Sequence, residues 1–365
     1  MRAHAEALLR GMVEIPSVSG AEREVAAYLA AALPDWGLRS HLDEVGNVIG
    51  RRGDPAAPMI VLLGHLDTVP GDIPVRQEGS ILHGRGTVDA KGPLATMVCA
   101  AAQADLHGAQ VVVAGVVGEE TDGHGARHLS HCFDPDAAII GEPNGWAGIG
   151  IGYKGRVTFD YAVRRPPSHT ASDQEKASEV AVGFWNRLQE HLASYAPGPG
   201  YAPGQRAFDR PIATLGEMTG TIERADLAVS CRIPPGFDIP AFERFLAGAA
   251  DGGVVTVDDR TPAVLVPTGA VTVQALCAGV RAHGGRPKLK IKTGTADLNV
   301  VADRWAVPMA VYGPGDSRLD HTDHEHLDLD EYATAIGVLT DALERLAAGL
   351  APRVVPLAVP PPRAA

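Results

Sequence analysis

Along this chain, apolar runs of strand length alternate with stretches of helical period. Val111-Val112-Val113-Ala114-Gly115-Val116-Val117 carries no polar residue, and its small and β-branched side chains predict a strand buried on both faces, as in the sheet of an α/β protein. Met59–Leu63, Asp136–Ile140 and Trp305–Tyr312 are further apolar runs, and Val45–Arg51 reads as another strand. Helical patterns lie at Ala3–Val13, at Ala21–Leu33, stopped by Pro34, and at Pro93–Ala104. This alternation predicts an α/β domain with a mixed, largely parallel sheet and flanking helices.

The middle of the chain follows a different order. Arg156–Val163 alternates as a strand, Ser172–Tyr195 has a helical pattern, strand-like runs surround Ile212 and Leu227, and a helix is predicted near Phe242–Ala249. The order βαββαβ predicts a separate α+β domain, residues 156–261, inserted into a larger one made of residues 1–155 and 262–350. Gly150-Ile151-Gly152-Tyr153-Lys154-Gly155 satisfies the G-x-G-x-x-G pattern. A strand pattern follows it where a dinucleotide site requires a helix, so it reads as the hinge into the insertion. The proline-rich residues 351–365 read as a disordered tail.

Length and charge narrow the function. At 365 residues the chain is long for one core, in keeping with two domains. A net charge of -12, with no basic tail, zinc knuckle or aromatic-basic repeat, argues against a nucleic-acid partner. Cys99, Cys132, Cys231 and Cys277 are far apart and lack CxxC spacing, as expected of buried thiols in a reducing compartment. Met1–Gly20 has no leader-like apolar core, and no stretch reaches the roughly 18 apolar residues of a membrane span, so a cytoplasmic protein without a membrane partner is expected.

Candidate chemistry collects at the strand ends, where open α/β sheets place their ligand sites. Gly118-Glu119-Glu120 closes the central strand, and side-chain alternation would send one carboxylate towards a metal and the other towards a water. Ordinary acids at a solvated strand end are the other reading. Met59–Leu63 runs into Gly64-His65-Leu66-Asp67-Thr68-Val69-Pro70, whose spacing puts His65 and Asp67 on one face, so that Asp67 can hold the imidazole by its second nitrogen. An accidental strand-end pair would look the same. Asp89, in the glycine-rich turn Gly84-Arg85-Gly86-Thr87-Val88-Asp89-Ala90-Lys91-Gly92, is a candidate for a metal or for capping the next helix. Gly141-Glu142-Pro143 ends a third strand, and His321 follows the run Trp305–Tyr312, with His324 and His326 set aside as ligands. His65, Asp89, Glu120, Glu142 and His321 suit two zinc-like ions, which a bridging carboxylate would hold about 3.5–4 Å apart.

These segments, in this order, resemble the zinc-dependent amidohydrolase family that includes aminoacylase, acetylornithine deacetylase, succinyl-diaminopimelate desuccinylase and glutamate carboxypeptidases. The resemblance implies that His65, Asp89 and Glu142 hold one ion and Asp89, Glu120 and His321 the other. Glu119 would then be the general base that serves the attacking water and the leaving amine, with Asp67 supporting His65. Zinc is expected, and cobalt or manganese suits the same ligands. The insertion would act as a lid and homodimer surface. His169 would reach the partner's site to stabilise the oxyanion, and Arg232 would bind a carboxylate; a structural salt bridge is the other reading of Arg232.

Lys292-Thr293-Gly294-Thr295-Ala296-Asp297-Leu298-Asn299 is similar to a segment of the hydrolases that release lysine or ornithine from a small acidic amino-group carrier protein, although that subgroup usually has serine and methionine at the positions of Ala296 and Leu298. The similarity gives Gly294 and Thr295 a role in holding the substrate's α-carboxylate, and a place in lysine or arginine biosynthesis. Lys288, Lys290 and Lys292 would line one face of a strand, either to dock the acidic carrier or to protect a sheet edge. The competing functions are deacylation of acetylornithine or another acylated amino acid, and a non-catalytic binding protein on the same scaffold.

Overall fold

The computed structural model describes residues 1–196 and 207–350, so the proline-rich tail expected at 351–365 lies outside the described residues. The chain divides into two compact units. The first comprises Met1–Ile151, Val266–Lys290 and the described part of Arg304–Ala365; the second comprises the described part of Gly152–Leu265 together with Ile291–Asp303.

At the centre of the first unit four strands run parallel, in the order Gln110–Val116, Met59–His65, Ala137–Gly141 and Met309–Tyr312. Every residue of these four strands is buried, which is why each reads as an apolar run without alternation. Antiparallel strands flank them. Val48–Arg52 pairs with Gln110–Val116 on one side, and Gly148–Tyr153 meets Met309–Tyr312 through Val311 and Gly150 on the other. The helix Lys91–Gln103, buried over most of its length, packs against the long helix Leu329–Gly349, and Val271–Ala282 also packs on that long helix. The sheet is therefore mixed, with a parallel centre.

Local chemistry explains where the elements depart from the pattern. The strand expected from Val45 starts only at Val48, because the Asp43 carboxylate accepts the amides of Val45, Gly46 and Asn47 at 3.1, 3.0 and 2.8 Å and folds them into a turn. The helix expected from Ser172 starts at Ala177, where the Lys176 amide donates to Glu179 Oε2 at 2.8 Å. The helix His124–Cys132, the edge strand Arg39–Leu42 and a small sheet of Arg76–Glu78, Ile81–His83 and His326–Asp328 carry no pattern strong enough to mark them.

In the second unit an antiparallel sheet has the order Ile212–Gly220, Arg224–Ile233, Gly155–Arg164, Val254–Thr261, and the helices Ala177–Ala193 and Ile239–Ala249 complete the sequence order βαββαβ. The G-x-G-x-x-G stretch runs from one strand into the next, with Lys154 between them. Residues 291–303 pack with this unit rather than with the first. Asn299 Nδ2 donates to the carbonyls of Lys154 and Pro262 at 3.2 and 2.9 Å, ties that a reading of periodicity does not detect. Alternate residues of Gly155–Arg164 face a core in which Phe184 stacks on Tyr161, with ring centroids 4.0 Å apart, and meets Phe159 edge-on. Phe184→Ala is expected to destabilise this unit by about 3–5 kcal/mol, read as a lower midpoint in chemical denaturation.

Candidate active site

The parallel register brings four loops to one end of the sheet. His65 lies opposite Val116, Gly64 opposite Gly141, and Tyr312 also opposite Gly141, so the segments after these positions begin about 5 Å apart. His65 is the last residue of its strand, Glu142 follows its strand directly, Glu119 and Glu120 lie in the turn that follows Val116, and His321 lies in the longer segment after Tyr312.

Strand alternation does not separate Glu119 from Glu120. The strand ends at Val116, Gly118 turns the chain at φ 74°, and both glutamates lie in the turn that follows. The buried Asp67 carboxylate fixes that turn. Its Oδ1 accepts the Glu119 amide at 3.1 Å, and its Oδ2 accepts the Glu120 amide at 3.0 Å and the Ser19 hydroxyl at 2.7 Å. His65 Nδ1 lies 2.9 Å from the Asp67 backbone carbonyl and 3.6 Å from its carboxylate. A carbonyl only accepts, so Nδ1 carries a proton and the other nitrogen of a neutral ring is left to bind a cation. That nitrogen, Nε2, is 3.2 Å from Asp89 Oδ1.

His321 approaches Asp89 from the other side. Its Nε2 is 3.2 Å from Asp89 Oδ2 and 3.0 Å from Glu120 Oε1, and its backbone adopts φ 60°. Ligand atoms of His65, Asp89 and Glu142 lie within 4.8 Å of one another, as do those of Asp89, Glu120 and His321, and those of His65, Glu119 and Glu120. Asp89 belongs to two of these groups. Burial opposes a charge on His65, but Asp67 and Asp89 outweigh it and hold its pKa well above the usual histidine value. Hydrogen bonds to Asp89 and Glu120 raise His321 to about 10. Burial likewise opposes ionisation of Asp89, yet His321 and His65 keep its carboxyl below the usual range. Carboxylates crowded at a buried strand end thus draw positive charge onto both histidines, and this mixed nitrogen and oxygen donor set fits a pair of divalent ions.

Several buried groups that support the site were not singled out from the sequence. Glu325, 1% exposed, accepts the amides of Val88 and Asp89 with Oε1 at 2.9 and 3.1 Å, and Arg85 Nη1 with Oε2 at 2.9 Å. Burial pushes its carboxyl up against the pull of those amides. Lys91 is also buried; its ammonium donates to the Ile15 carbonyl at 2.8 Å, and burial lowers it to about 8 against the opposing charges of Glu325 and Asp67. Glu325 lies four residues after His321 in a histidine-rich run, and nothing in that run marks it as buried. His324 and His326 are in none of the ligand groups found among the described residues.

Arg232, Gly294, Thr295 and His169 belong to the inserted unit. The Arg232 guanidinium donates to the Thr295 hydroxyl, which donates to the Lys154 carbonyl at 3.0 Å. Gly294 has no atom within 4 Å of where a Cβ would stand. His169 is exposed in a loop, and its Nδ1 accepts the Ala171 amide at 3.1 Å, so a neutral ring carries its proton on Nε2. The lysine stripe is not uniform. Lys288 is exposed, whereas Lys290 donates to the Asn144 carbonyl at 2.6 Å and the Lys292 ammonium sits 5.6 Å from the centre of the Tyr153 ring. No helix among the described residues is long and apolar enough to cross a membrane.

Comparison with known proteins gives a consistent result. A LysW-lysine hydrolase of Deinococcus radiodurans is 42% identical over 359 residues, covering 94% of this chain and 98% of that protein. A putative LysW-lysine/LysW-ornithine hydrolase of Thermococcus kodakarensis is 39% identical over 342 residues, covering 93% and 91%. In three dimensions the fold is similar to an M20 family metallo-carboxypeptidase of Sulfolobus solfataricus, with a TM-score of 0.78 at 16% identity over 94% of this chain and 99% of that one. It is also similar to a dinuclear metal-binding peptidase of the M20 family from Bacillus subtilis, with a TM-score of 0.70 at 13% identity over 96% and 99%. Residues 61–345, which include every candidate ligand, match the description of peptidase family M20/M25/M40. The resemblance drawn from the short strand-end segments is thereby borne out over nearly the whole chain: it belongs to peptidase family M20/M25/M40 and is an amidohydrolase.

Proposed function

We propose that this enzyme hydrolyses the amide joining the α-amino group of lysine or ornithine to the γ-carboxyl of the terminal glutamate of an amino-group carrier protein. The observation that carries the reading is the end-to-end similarity to the Deinococcus radiodurans LysW-lysine hydrolase. In this reading His65, Asp89 and Glu142 hold one divalent ion, and Asp89, Glu120 and His321 hold a second. Zinc is the metal best matched to the donors, and cobalt or manganese is compatible with them. Bound there, the pair would supply Lewis-acid polarisation of the scissile carbonyl and lower the pKa of a water.

The protein's own groups handle the protons and the substrate. Glu119 has a carboxylate oxygen within 4.8 Å of ligand atoms of His65 and Glu120 and is not required by either ion's ligand set, so it is the general base that takes the water's proton and returns it to the leaving amine. Asp67 holds the backbone of that base and of its neighbouring ligand. Arg232, Gly294 and Thr295 hold the α-carboxylate, a task suited to a guanidinium already aligned by a hydroxyl. The Nε2 proton of His169 stabilises the oxyanion in the partner's site of a homodimer formed through the insertion. Exposed Lys288 contributes to docking of the acidic carrier, in a cytoplasmic amino-acid biosynthetic setting.

A mass-spectrometric hydrolysis assay of the zinc-loaded protein is expected to release lysine or ornithine from γ-glutamyl carrier conjugates. Preference for acetylornithine or succinyl-diaminopimelate would discard the carrier and retain the hydrolase. Glu119→Gln is expected to lower kcat by about 10²–10⁴-fold with unchanged metal content, and an active variant would refute the role of Glu119. Because the neighbouring carboxylates favour the protonated forms of His65 and His321, metal uptake is expected to release protons, and apparent affinity to rise as pH rises towards the His321 value of about 10. Calorimetry in buffers of different ionisation enthalpy, repeated across pH, measures both; affinity independent of pH would contradict this.

A further inference from the structure

The loop that carries Asp89 is built around a carboxylate from far along the chain. Successive amides of Val88 and Asp89 converge on Glu325 Oε1 at 2.9 and 3.1 Å, as backbone amides converge on a bound anion. The helix that follows, Lys91–Gln103, has no side-chain cap of its own, and Glu325 adds to the negative charge of Asp89 near its amino end. Arg85, from the same loop, closes on Glu325 Oε2 at 2.9 Å and donates to the Thr322 carbonyl at 3.0 Å, while the Gly84 amide donates to the Glu325 carbonyl at 3.3 Å. Both ends of the loop are therefore fastened to the segment 321–325, which begins with His321.

We infer that Glu325 is a positioning residue that locks Asp89 and His321 to each other and so sets the affinity of the ion they share with Glu120. The inference rests on the two-ion reading of the site. Asp89 and His321 are far apart in sequence, and Glu325 holds the first through its backbone amide and the second through a four-residue connection. The ion bound by Asp89, Glu120 and His321 thus has two of its three ligands registered by one buried side chain. The ion at His65, Asp89 and Glu142 has only Asp89 so registered. Loss of the lock falls more heavily on the first of these sites.

The test uses Zn²⁺ alone, titrated into the metal-free full-length protein in competition with a chromogenic chelator. The wild type is expected to take up two ions, and His321→Ala identifies which equivalent belongs to the His321 site. Glu325→Asp keeps a negative charge beside Arg85 but is one methylene too short to reach both amides. It is expected to weaken the His321-site equivalent on the order of 10–100-fold and the other equivalent less, with little change in the melting temperature of the metal-free protein. Unchanged affinity at the His321 site overturns the inference. So does equal weakening of both equivalents that tracks a lower melting temperature of the metal-free variant, the result of a purely structural role. A wild type that takes up fewer than two ions overturns the two-ion reading itself and removes the basis for the lock.

Discussion

Like charges brought together at the end of a buried sheet set the terms for the rest of the first unit. Asp89, Glu120 and Glu142 are gathered with Glu119 beside His65 and His321; Asp89, Glu142 and His65 are buried, and the others are partly open to solvent. Two histidines answer part of that charge directly, and Lys91 and Arg85 answer the carboxylates behind them. The supporting acids are spent on backbone amides: Asp67 on the Glu119 turn and Glu325 on the Asp89 loop. The candidate ligand carboxylates Asp89, Glu120 and Glu142 lie beside the two histidines.

A further carboxylate works in the same way. Glu331 Oε1 accepts the amides of Trp146 and Gly315 at 2.9 and 3.1 Å, joining the segments that follow two neighbouring strands. Asp67, Glu325 and Glu331 each draw together loops that the sheet alone would leave free to diverge. Hydrophobic burial places the strands, and these acids place what leaves them.

The sequence was most legible where one physical signal was repeated. Four parallel strands are largely apolar because both faces are covered, and the candidate ligands stand at or beyond their ends because the register aligns those ends. The inserted unit was legible from alternation in Gly155–Arg164 and from the βαββαβ order. Glu325 and Lys91 were not, because a buried charge is recognised by partners that lie far away in sequence. The packing of residues 291–303 with the inserted unit was missed for the same reason, since Asn299 finds its acceptors in Lys154 and Pro262. The turn at Gly118 shows the limit of periodicity, because one left-handed residue cancelled the alternation that would have separated Glu119 from Glu120.

The late arrival of residues 291–303 bears on when the enzyme is assembled. On the ribosome, the sheet of the inserted unit is fully synthesised at Thr261, but Lys154 and Arg232 meet Thr295 and Asn299 only after the chain has returned to the first unit and left it again. His321 and Glu325 emerge later still. The inserted unit therefore gains these contacts only after its own sheet has been made, and the segment that carries His321 and Glu325 follows them.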